Sequence, residues 1–215
     1  MVFVKICGLT NIDDAKAAVE AGADGVGFLV DIPQAKISKQ ITVEALAEIV
    51  KTIPNKVMTF ALTTSTDIKH IAEICKKTNV SAVQLYHEFE PKQLLELRKA
   101  LPKIKIVIPF GVTDLSMVAK VQSYEPFIDY ILLDSMTKTQ VGSTGKTHDW
   151  KISAQVVSSC KKQVMLAGGL DASNVAAAIK EVKPWGVDAD TRLESEPGKK
   201  DINKVRAFII EAKRG

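Results

Sequence analysis

The sequence predicts a (β/α)8 barrel, the TIM-barrel fold of the α/β class, as a single domain over residues 1–215. Eight short apolar runs alternate with eight longer amphipathic stretches from one end of the chain to the other. No low-complexity linker or change of composition marks a second domain. Strand–helix alternation is typical of parallel strands joined by helical crossovers. Eight such units can close into a barrel, whereas an open doubly wound sheet usually has fewer strands.

The elements follow from residue type and spacing. Short apolar runs predict strands at residues 2–7, 25–30, 57–62, 82–85, 104–109, 130–133, 164–167 and 186–189. Amphipathic stretches predict helices at residues 12–21, 43–52, 67–77, 91–101, 115–123, 152–160, 172–182 and 201–212. Capping residues support several helix starts: Asn11 for the first, Thr66 or Asp67 for the third, and Asp171 or Ser173 for the seventh.

Composition excludes several classes of function. The net charge of +4 is spread along the chain without a basic tract, which does not favour a nucleic-acid-binding protein. The amino terminus lacks the features of a signal peptide, and no apolar run reaches the roughly 18 residues of a membrane helix. The cysteines Cys7, Cys75 and Cys160 are scattered, which favours free thiols in the cytoplasm. The histidines have no metal-ligand spacing, so we expect no metal and no other cofactor.

A barrel places its active site at the carboxyl ends of its strands. Cys7 ends the first predicted strand and is either a small packing residue or a catalytic thiol. Asp134 follows the sixth strand and is an acid, a base, a sugar ligand or a loop cap. Gly168 and Gly169 follow the seventh strand, where paired glycines form a tight turn or let backbone amides approach a phosphate. The later run from Gly142 to Thr147 lacks the Walker spacing, so it gives little support for nucleotide binding.

Collinear motifs along the whole chain resemble the phosphoribosylanthranilate isomerase family. They are Lys5-Ile6-Cys7-Gly8-Leu9-Thr10, Gly27-Phe28-Leu29, Val83-Gln84-Leu85, Leu133-Asp134-Ser135, Gly142-Ser143-Thr144-Gly145 with Asp149-Trp150, Leu166-Ala167-Gly168-Gly169-Leu170 with Asn174-Val175, and Gly186-Val187-Asp188 with the segment from Glu194 to Asp201. The resemblance implies an Amadori rearrangement in tryptophan biosynthesis, performed without a cofactor on a small phosphosugar, N-(5-phosphoribosyl)anthranilate.

The same resemblance implies roles for individual residues. Asp134 would be the general acid that protonates the ribose ring oxygen, and Cys7 the general base that removes the C2 proton from the Schiff base. A thiol with an ordinary pKa needs that pKa lowered to act as a base at neutral pH. Gly168 and Gly169 would hold the phosphate, and Gln84 would bind substrate. A monomer and a homodimer both remain open.

The sequence also departs from the family pattern. Gln34-Ala35-Lys36 stands where the family has Ser-Pro-Arg, so Lys36 would replace the arginine that binds the anthranilate carboxylate. Tyr86-His87 replaces His-Gly, and His148 replaces a phenylalanine. Asp190-Thr191-Arg192 replaces a phosphate-binding Ser-Ser-Gly.

These departures concern the groups that would bind the substrate and not those that form the fold. Because Asp190 would repel phosphate, we expect it to turn away or to pair with Arg192, the only nearby residue able to reverse its charge. We also expect Arg192 to bind the substrate phosphate in place of the missing backbone amides. The sequence therefore favours a divergent isomerase. A barrel acting on another aminosugar phosphate and a non-catalytic phosphosugar-binding barrel are the alternatives.

Overall fold

The computed structural model describes residues 1–32, 39–135 and 147–215, and in them eight parallel strands close into a barrel. The strands are β1 (Phe3–Ile6), β2 (Gly25–Leu29), β3 (Met58–Thr63), β4 (Ala82–Leu85), β5 (Lys105–Gly111), β6 (Tyr130–Asp134), β7 (Gln163–Leu166) and β8 (Gly186–Ala189). They pair in chain order, and β8 returns to pair with β1. The predicted (β/α)8 architecture is confirmed.

Helices follow the strands around the outside. They are α1 (Ile12–Glu20), α2 (Val43–Thr52), α3 (Ile68–Thr78), α4 (Pro91–Ala100), α5 (Met117–Tyr124), α6 (Trp150–Ser159), α7 (Val175–Val182) and α8 (Ile202–Arg214). Asn11 and Asp67 cap α1 and α3 as predicted, each accepting a backbone N–H of the first turn. The predicted start of α7 is wrong, because Asp171 and Ser173 form a turn and the helix begins only after Asn174.

Two layers of side chains follow from the alternation of each strand. One set, including Val4, Ile6 and Leu133, packs outward between the strands and the helices. The other set, including Cys7, Leu132 and Met165, fills the inside of the barrel. Side chains two residues apart on a strand share a face, so the inward positions can be followed to the strand ends.

An unpredicted feature follows β8. A short 3-10 helix (Thr191–Leu193) leads into an antiparallel hairpin of β9 (Glu194–Glu196) and β10 (Lys199–Lys200). Thr10 donates to the carbonyl of Gly198 at 2.6 Å, which fastens the hairpin to the loop after β1. These strands carry charged residues and lack an apolar run, so periodicity gave no signal for them.

Candidate active site

The two predicted catalytic side chains lie at the carboxyl end of the barrel, on its inner face. Cys7 follows β1 on the same face as Lys5, and its N–H donates to Ala189 O at 2.9 Å, which extends the β1–β8 ladder. Asp134 is the last residue of β6 and shares the inner face with Leu132. Only 4% of Cys7 and 6% of Asp134 is exposed. Both side chains are therefore largely shielded from solvent at the carboxyl end of the barrel, which we call the mouth.

Cys7 lies close to a buried positive charge. A Cβ atom placed on Gly27 would be 2.8 Å from the Cys7 Sγ and 3.1 Å from the Lys5 Cε. The side chains of Cys7 and Lys5 therefore both pack against Gly27. Burial raises the pKa of the Cys7 thiol to about 12, although the Lys5 ammonium opposes the shift. The lowering of this pKa that a thiol base needs at neutral pH is therefore not supplied by the surroundings of Cys7 in the protein alone.

Lys5 is fully buried and is held by two acceptors. Its Nζ donates to Gln84 Oε1 at 2.8 Å and to Asp188 Oδ2 at 3.2 Å, and it lies 4.8 Å from the centre of the Phe60 ring. Burial alone would lower the pKa of Lys5, but Asp188 and Cys7 outweigh it and the pKa is raised. Lys5 therefore stays positively charged throughout the neutral pH range, on the same inner face of β1 as Cys7. A lysine inside an apolar strand was a signal for this role that our sequence reasoning missed.

Gln84, predicted to bind substrate, is fully buried and is the second-last residue of β4. Its amide oxygen accepts from Lys5, and its Nε2 donates to the Tyr86 hydroxyl at 2.8 Å. The structure thus joins Gln84 to Tyr86, which stands directly after β4 on the same inner face.

Asp134 has the environment of a carboxyl group that can carry a proton. Its Oδ1 accepts the N–H of Ser135 at 2.7 Å. Burial raises the pKa of Asp134 to about 6 although that hydrogen bond opposes the shift. A carboxyl group with this pKa is part protonated near neutral pH and can serve as a general acid.

Gly168 and Gly169 form a glycine turn at the end of β7, with φ of 88° and 61°. A Cβ atom on Gly168 would be 2.9 Å from Ser135 N and 3.1 Å from His148 Nδ1, so this position also needs glycine for space. The turn is also farther from the next helix than predicted, because α7 begins at Val175 and not at residue 172. Burial lowers the pKa of His148 to about 4, and His148 is therefore neutral beside this turn at neutral pH.

Asp190 lies in the mouth, contrary to the expectation that it turns away. A Cβ atom on Gly8, whose φ is 69°, would be 2.2 Å from the Asp190 Oδ1. Lys200 Nζ donates to that oxygen at 2.7 Å, and Lys39 Nζ lies 3.6 Å from Oδ2 and 2.8 Å from Glu194 Oε1. Burial would raise the pKa of Asp190, but Lys200 and Lys39 outweigh it and hold the pKa below its ordinary value.

The idea that Arg192 alone can offset the charge of Asp190 is therefore wrong. Lys39 and Lys200, which the sequence analysis did not single out, neutralise it. Arg192 forms an ion pair with Asp171 at 2.6 Å, bridging the loops after β8 and β7. The Arg192 side chain is 40% exposed. Its partner Asp171 lies shortly after the glycine turn in the sequence.

Some predictions fall outside the described residues. They are those on Lys36 with Gln34 and Ala35, and those on the segment from Gly142 to Lys146. Among the residues that the structure does describe, no group of three or more His, Cys, Asp or Glu side chains is arranged to hold a metal ion. In the same residues, no helix has the length and apolar content to span a membrane.

Comparison with known proteins identifies the family to which the chain belongs. The family model for N-(5'-phosphoribosyl)anthranilate isomerase matches residues 4–211. The chain belongs to the N-(5'-phosphoribosyl)anthranilate isomerase family. It is accordingly an enzyme of the isomerase class, and it is 36% identical over 210 residues to the N-(5'-phosphoribosyl)anthranilate isomerase of Bacillus cereus, with 98% of each chain covered. An isomerase of Methanosarcina mazei is 35% identical, covering 98% of this chain and 93% of that one.

Solved structures of this family superpose over the full chain. The enzyme from Thermotoga maritima is 34% identical, with a TM-score of 0.87 and complete coverage of both chains. A phosphoribosylanthranilate isomerase in complex with reduced 1-(o-carboxyphenylamino)-1-deoxyribulose 5-phosphate is 32% identical, with a TM-score of 0.84 and the same coverage. The barrel of this isomerase therefore matches enzymes of the family from end to end.

Proposed function

We propose that this isomerase converts N-(5'-phosphoribosyl)anthranilate to the aminoketose with Asp134 as general acid and Cys7 as general base. One observation carries the assignment: a carboxyl group with a pKa near 6 and a thiol share the inner face at the carboxyl end of one barrel. The reaction is an Amadori rearrangement and a step of tryptophan biosynthesis. It needs one proton donor and one proton acceptor on the sugar.

In the first step, Asp134 protonates the ribose ring oxygen as the C1–O bond breaks. The nitrogen lone pair forms the C1=N bond, so the product is an open-chain, positively charged Schiff base and an Asp134 carboxylate. Burial favours the protonated acid before this step, and the Ser135 N–H at 2.7 Å stabilises the carboxylate after it. The same surroundings therefore suit both states of the acid.

In the second step, Cys7 removes the proton from C2 and the electrons of that bond pass to the nitrogen. The resulting enaminol then becomes the ketone by taking a proton at C1 and losing one from the C2 oxygen. The thiolate that this step requires is disfavoured by burial in the free protein. A cationic Schiff base beside the sulfur would lower that thiol pKa, because an opposite charge a few ångströms away in a dry site favours the charged form. Lys5 acts in the same direction.

The ends of the substrate need anion-binding groups. The backbone amides of Gly168 and Gly169 are our candidates for the phosphate, with Arg192 as an additional donor, and Lys36 for the anthranilate carboxylate. Arg192 is a candidate because it stands where the family has a phosphate-binding Ser-Ser-Gly, and its Nη1 pairs with Asp171 in the loop after β7. Lys39 is a further candidate for the carboxylate, because it places an ammonium group in the mouth.

Replacement of Arg192 with alanine should weaken binding of phosphate-bearing ligands by roughly tenfold, the scale of one hydrogen bond to a charged group at a partly exposed site. Calorimetric titration with the product analogue, reduced 1-(o-carboxyphenylamino)-1-deoxyribulose 5-phosphate, measures the effect. Arg214→Ala is the matched control, because Arg214 is exposed at the far end of α8. Equal affinity of Arg192→Ala and the wild type would remove Arg192 from the phosphate site.

The direct test of the function is turnover of N-(5'-phosphoribosyl)anthranilate by the purified chain, followed by loss of anthranilate fluorescence, with rescue of a tryptophan auxotroph lacking this isomerase. No turnover and no rescue would contradict the assignment. A related aminosugar phosphate is the second candidate substrate, because Tyr86 and the Asp190 cluster differ from the family pattern.

We also place the enzyme in the cytoplasm, in keeping with three cysteines that are all free thiols. A dimeric phosphoribosylanthranilate isomerase is known from Thermotoga maritima. For this chain, a monomer or a homodimer stays a prediction that sedimentation would decide.

A further inference from the structure

Hydrogen bonds of fixed direction lead from Lys5 to the hydroxyl of Tyr86. An ammonium group only donates, so the atom of Gln84 that faces Lys5 Nζ at 2.8 Å must be the amide oxygen. The amide nitrogen of Gln84 then faces Tyr86, and it only donates as well. The contact of 2.8 Å from Gln84 Nε2 is therefore one in which the Tyr86 oxygen accepts.

This direction leaves the hydroxyl proton of Tyr86 available. In the described part of the chain, Gln84 is the hydrogen-bond partner of the hydroxyl. Asp188 holds Lys5 from the other side at 3.2 Å, which keeps the lysine charged and the direction of the chain unchanged. A phenol that accepts a hydrogen bond can donate its own proton to a second group.

The hydroxyl stands where substrate would bind. Tyr86 follows β4 directly, and its N–H donates to Thr63 O at 3.0 Å, which ties this backbone to the neighbouring strand. Its side chain packs against the inner cluster that contains Cys7 and Leu132, and the residue stays partly exposed. Burial raises the pKa of Tyr86 well above its ordinary value, and the charges of Cys7 and Asp134 add to the shift. Tyr86 therefore keeps its proton throughout the neutral range.

We propose that Tyr86 contacts the substrate and donates a hydrogen bond to a sugar oxygen at the reacting end, with Lys5 and Gln84 as positioning residues that orient it. The proposal rests on the proposed function. The open-chain Schiff base carries hydroxyls on C2 and on the adjacent C3, and each of these oxygens can accept a hydrogen bond. Because a donor in a dry site gains most from a partner there, the hydroxyl would select sugars with an oxygen at this position.

The first test replaces Tyr86 with phenylalanine, which deletes one oxygen and keeps the ring. We expect kcat/KM to fall roughly 3- to 10-fold, the scale of one hydrogen bond between neutral groups. Tyr86→His, which restores the residue of the family pattern, should recover part of the loss. Tyr130→Phe is the matched control, since Tyr130 lies at the opposite end of the barrel, stacked 4.9 Å from Trp185.

The second test reverses the chain of hydrogen bonds. In Gln84→Glu the carboxylate accepts from Lys5 and also from Tyr86, so the phenol proton is drawn away from the mouth. Tyr86→Phe should then cost less than twofold in the Gln84→Glu background, although it costs 3- to 10-fold in the wild type. An equal loss in both backgrounds would mean that Tyr86 acts through packing and would overturn the proposal.

Turnover and analogue binding by the wild type distinguish a failure of the proposed function from a failure of the role of Tyr86. A wild type that neither turns over the substrate nor binds reduced 1-(o-carboxyphenylamino)-1-deoxyribulose 5-phosphate would overturn the proposed function and this inference together. A wild type that turns over while Tyr86→Phe stays within twofold of it would overturn the role of Tyr86 alone. Losses in Tyr86→Phe without a change in melting temperature, together with wild-type activity in Tyr130→Phe, would support it.

Discussion

Replacement of Asp134 with asparagine should lower kcat at least about 100-fold, the low end of general acid catalysis. Asparagine keeps the shape of the side chain and an oxygen that can accept the Ser135 N–H. In the wild type this N–H donates to Asp134 Oδ1 at 2.7 Å. Asparagine cannot supply a proton to the ribose ring oxygen. The expected result is therefore a loss of turnover with little change in binding of the product analogue, measured by saturation kinetics and calorimetry.

The pH dependence of kcat/KM identifies the acid more directly, because kcat/KM reports the ionisation of the free protein. The reactive form needs Asp134 protonated and Cys7 deprotonated. Below pH about 6, the pKa of Asp134, the acid is protonated and the thiolate fraction grows about tenfold per pH unit, so kcat/KM should rise. Above that pH each unit gains thiolate and loses protonated acid equally, so kcat/KM should level off. In Asp134→Asn this break should disappear and the residual activity should keep rising.

Asp114→Asn provides the control for this prediction. Asp114 is exposed in the loop that follows the neighbouring strand β5, where it accepts the N–H of Ser116 at 2.8 Å. Its replacement should leave both kcat and the pH profile unchanged. A break near pH 6 that persists in Asp134→Asn would belong to another group, such as the substrate phosphate, and would contradict the assignment.

The fold was predictable because eight strand–helix alternations are a long-range pattern that single errors do not disturb. The placement of Cys7 and Asp134 followed from the same pattern, since strand ends meet at one face of a barrel. Helix α7 shows the limit of local signals. Asp171, Ser173 and Asn174 are all good capping residues, and only the hydrogen bonds of the turn decide between them.

The charged groups of the mouth were not predictable in the same way. Lys39 is far from Asp190 in sequence, and Lys200 reaches Asp190 because it lies on the second strand of the hairpin that follows it, which Thr10 ties to the loop after β1. Sequence reasoning considered neighbours along the chain and therefore assigned Arg192 as the partner of Asp190. A burial-driven rise in the pKa of Cys7 was equally hidden, because desolvation depends on the packed barrel.

The raised pKa of Cys7 disfavours the thiolate that the second step of the mechanism requires. With a pKa of about 12, the free protein holds very little thiolate at neutral pH. The thiolate has to form in the complex, where the Schiff base brings a positive charge to the sulfur and Lys5 already lies beneath it. A low thiolate content before binding also protects the sulfur from oxidation, since the thiolate is the reactive form.

Replacement of Cys7 with serine should therefore lower kcat at least about 100-fold, because a hydroxyl is a far weaker acid than a thiol and is not deprotonated even beside the Schiff base. Binding of the product analogue should change little, since serine fills nearly the same space. Cys160→Ser is the matched control: Cys160 ends α6 outside the barrel and should be replaceable without loss of activity. Single-turnover measurements add a second criterion, because ring opening by Asp134 should persist in Cys7→Ser while the C2 proton stays in place. Exchange of that proton with solvent at the wild-type rate in Cys7→Ser would exclude Cys7 as the base.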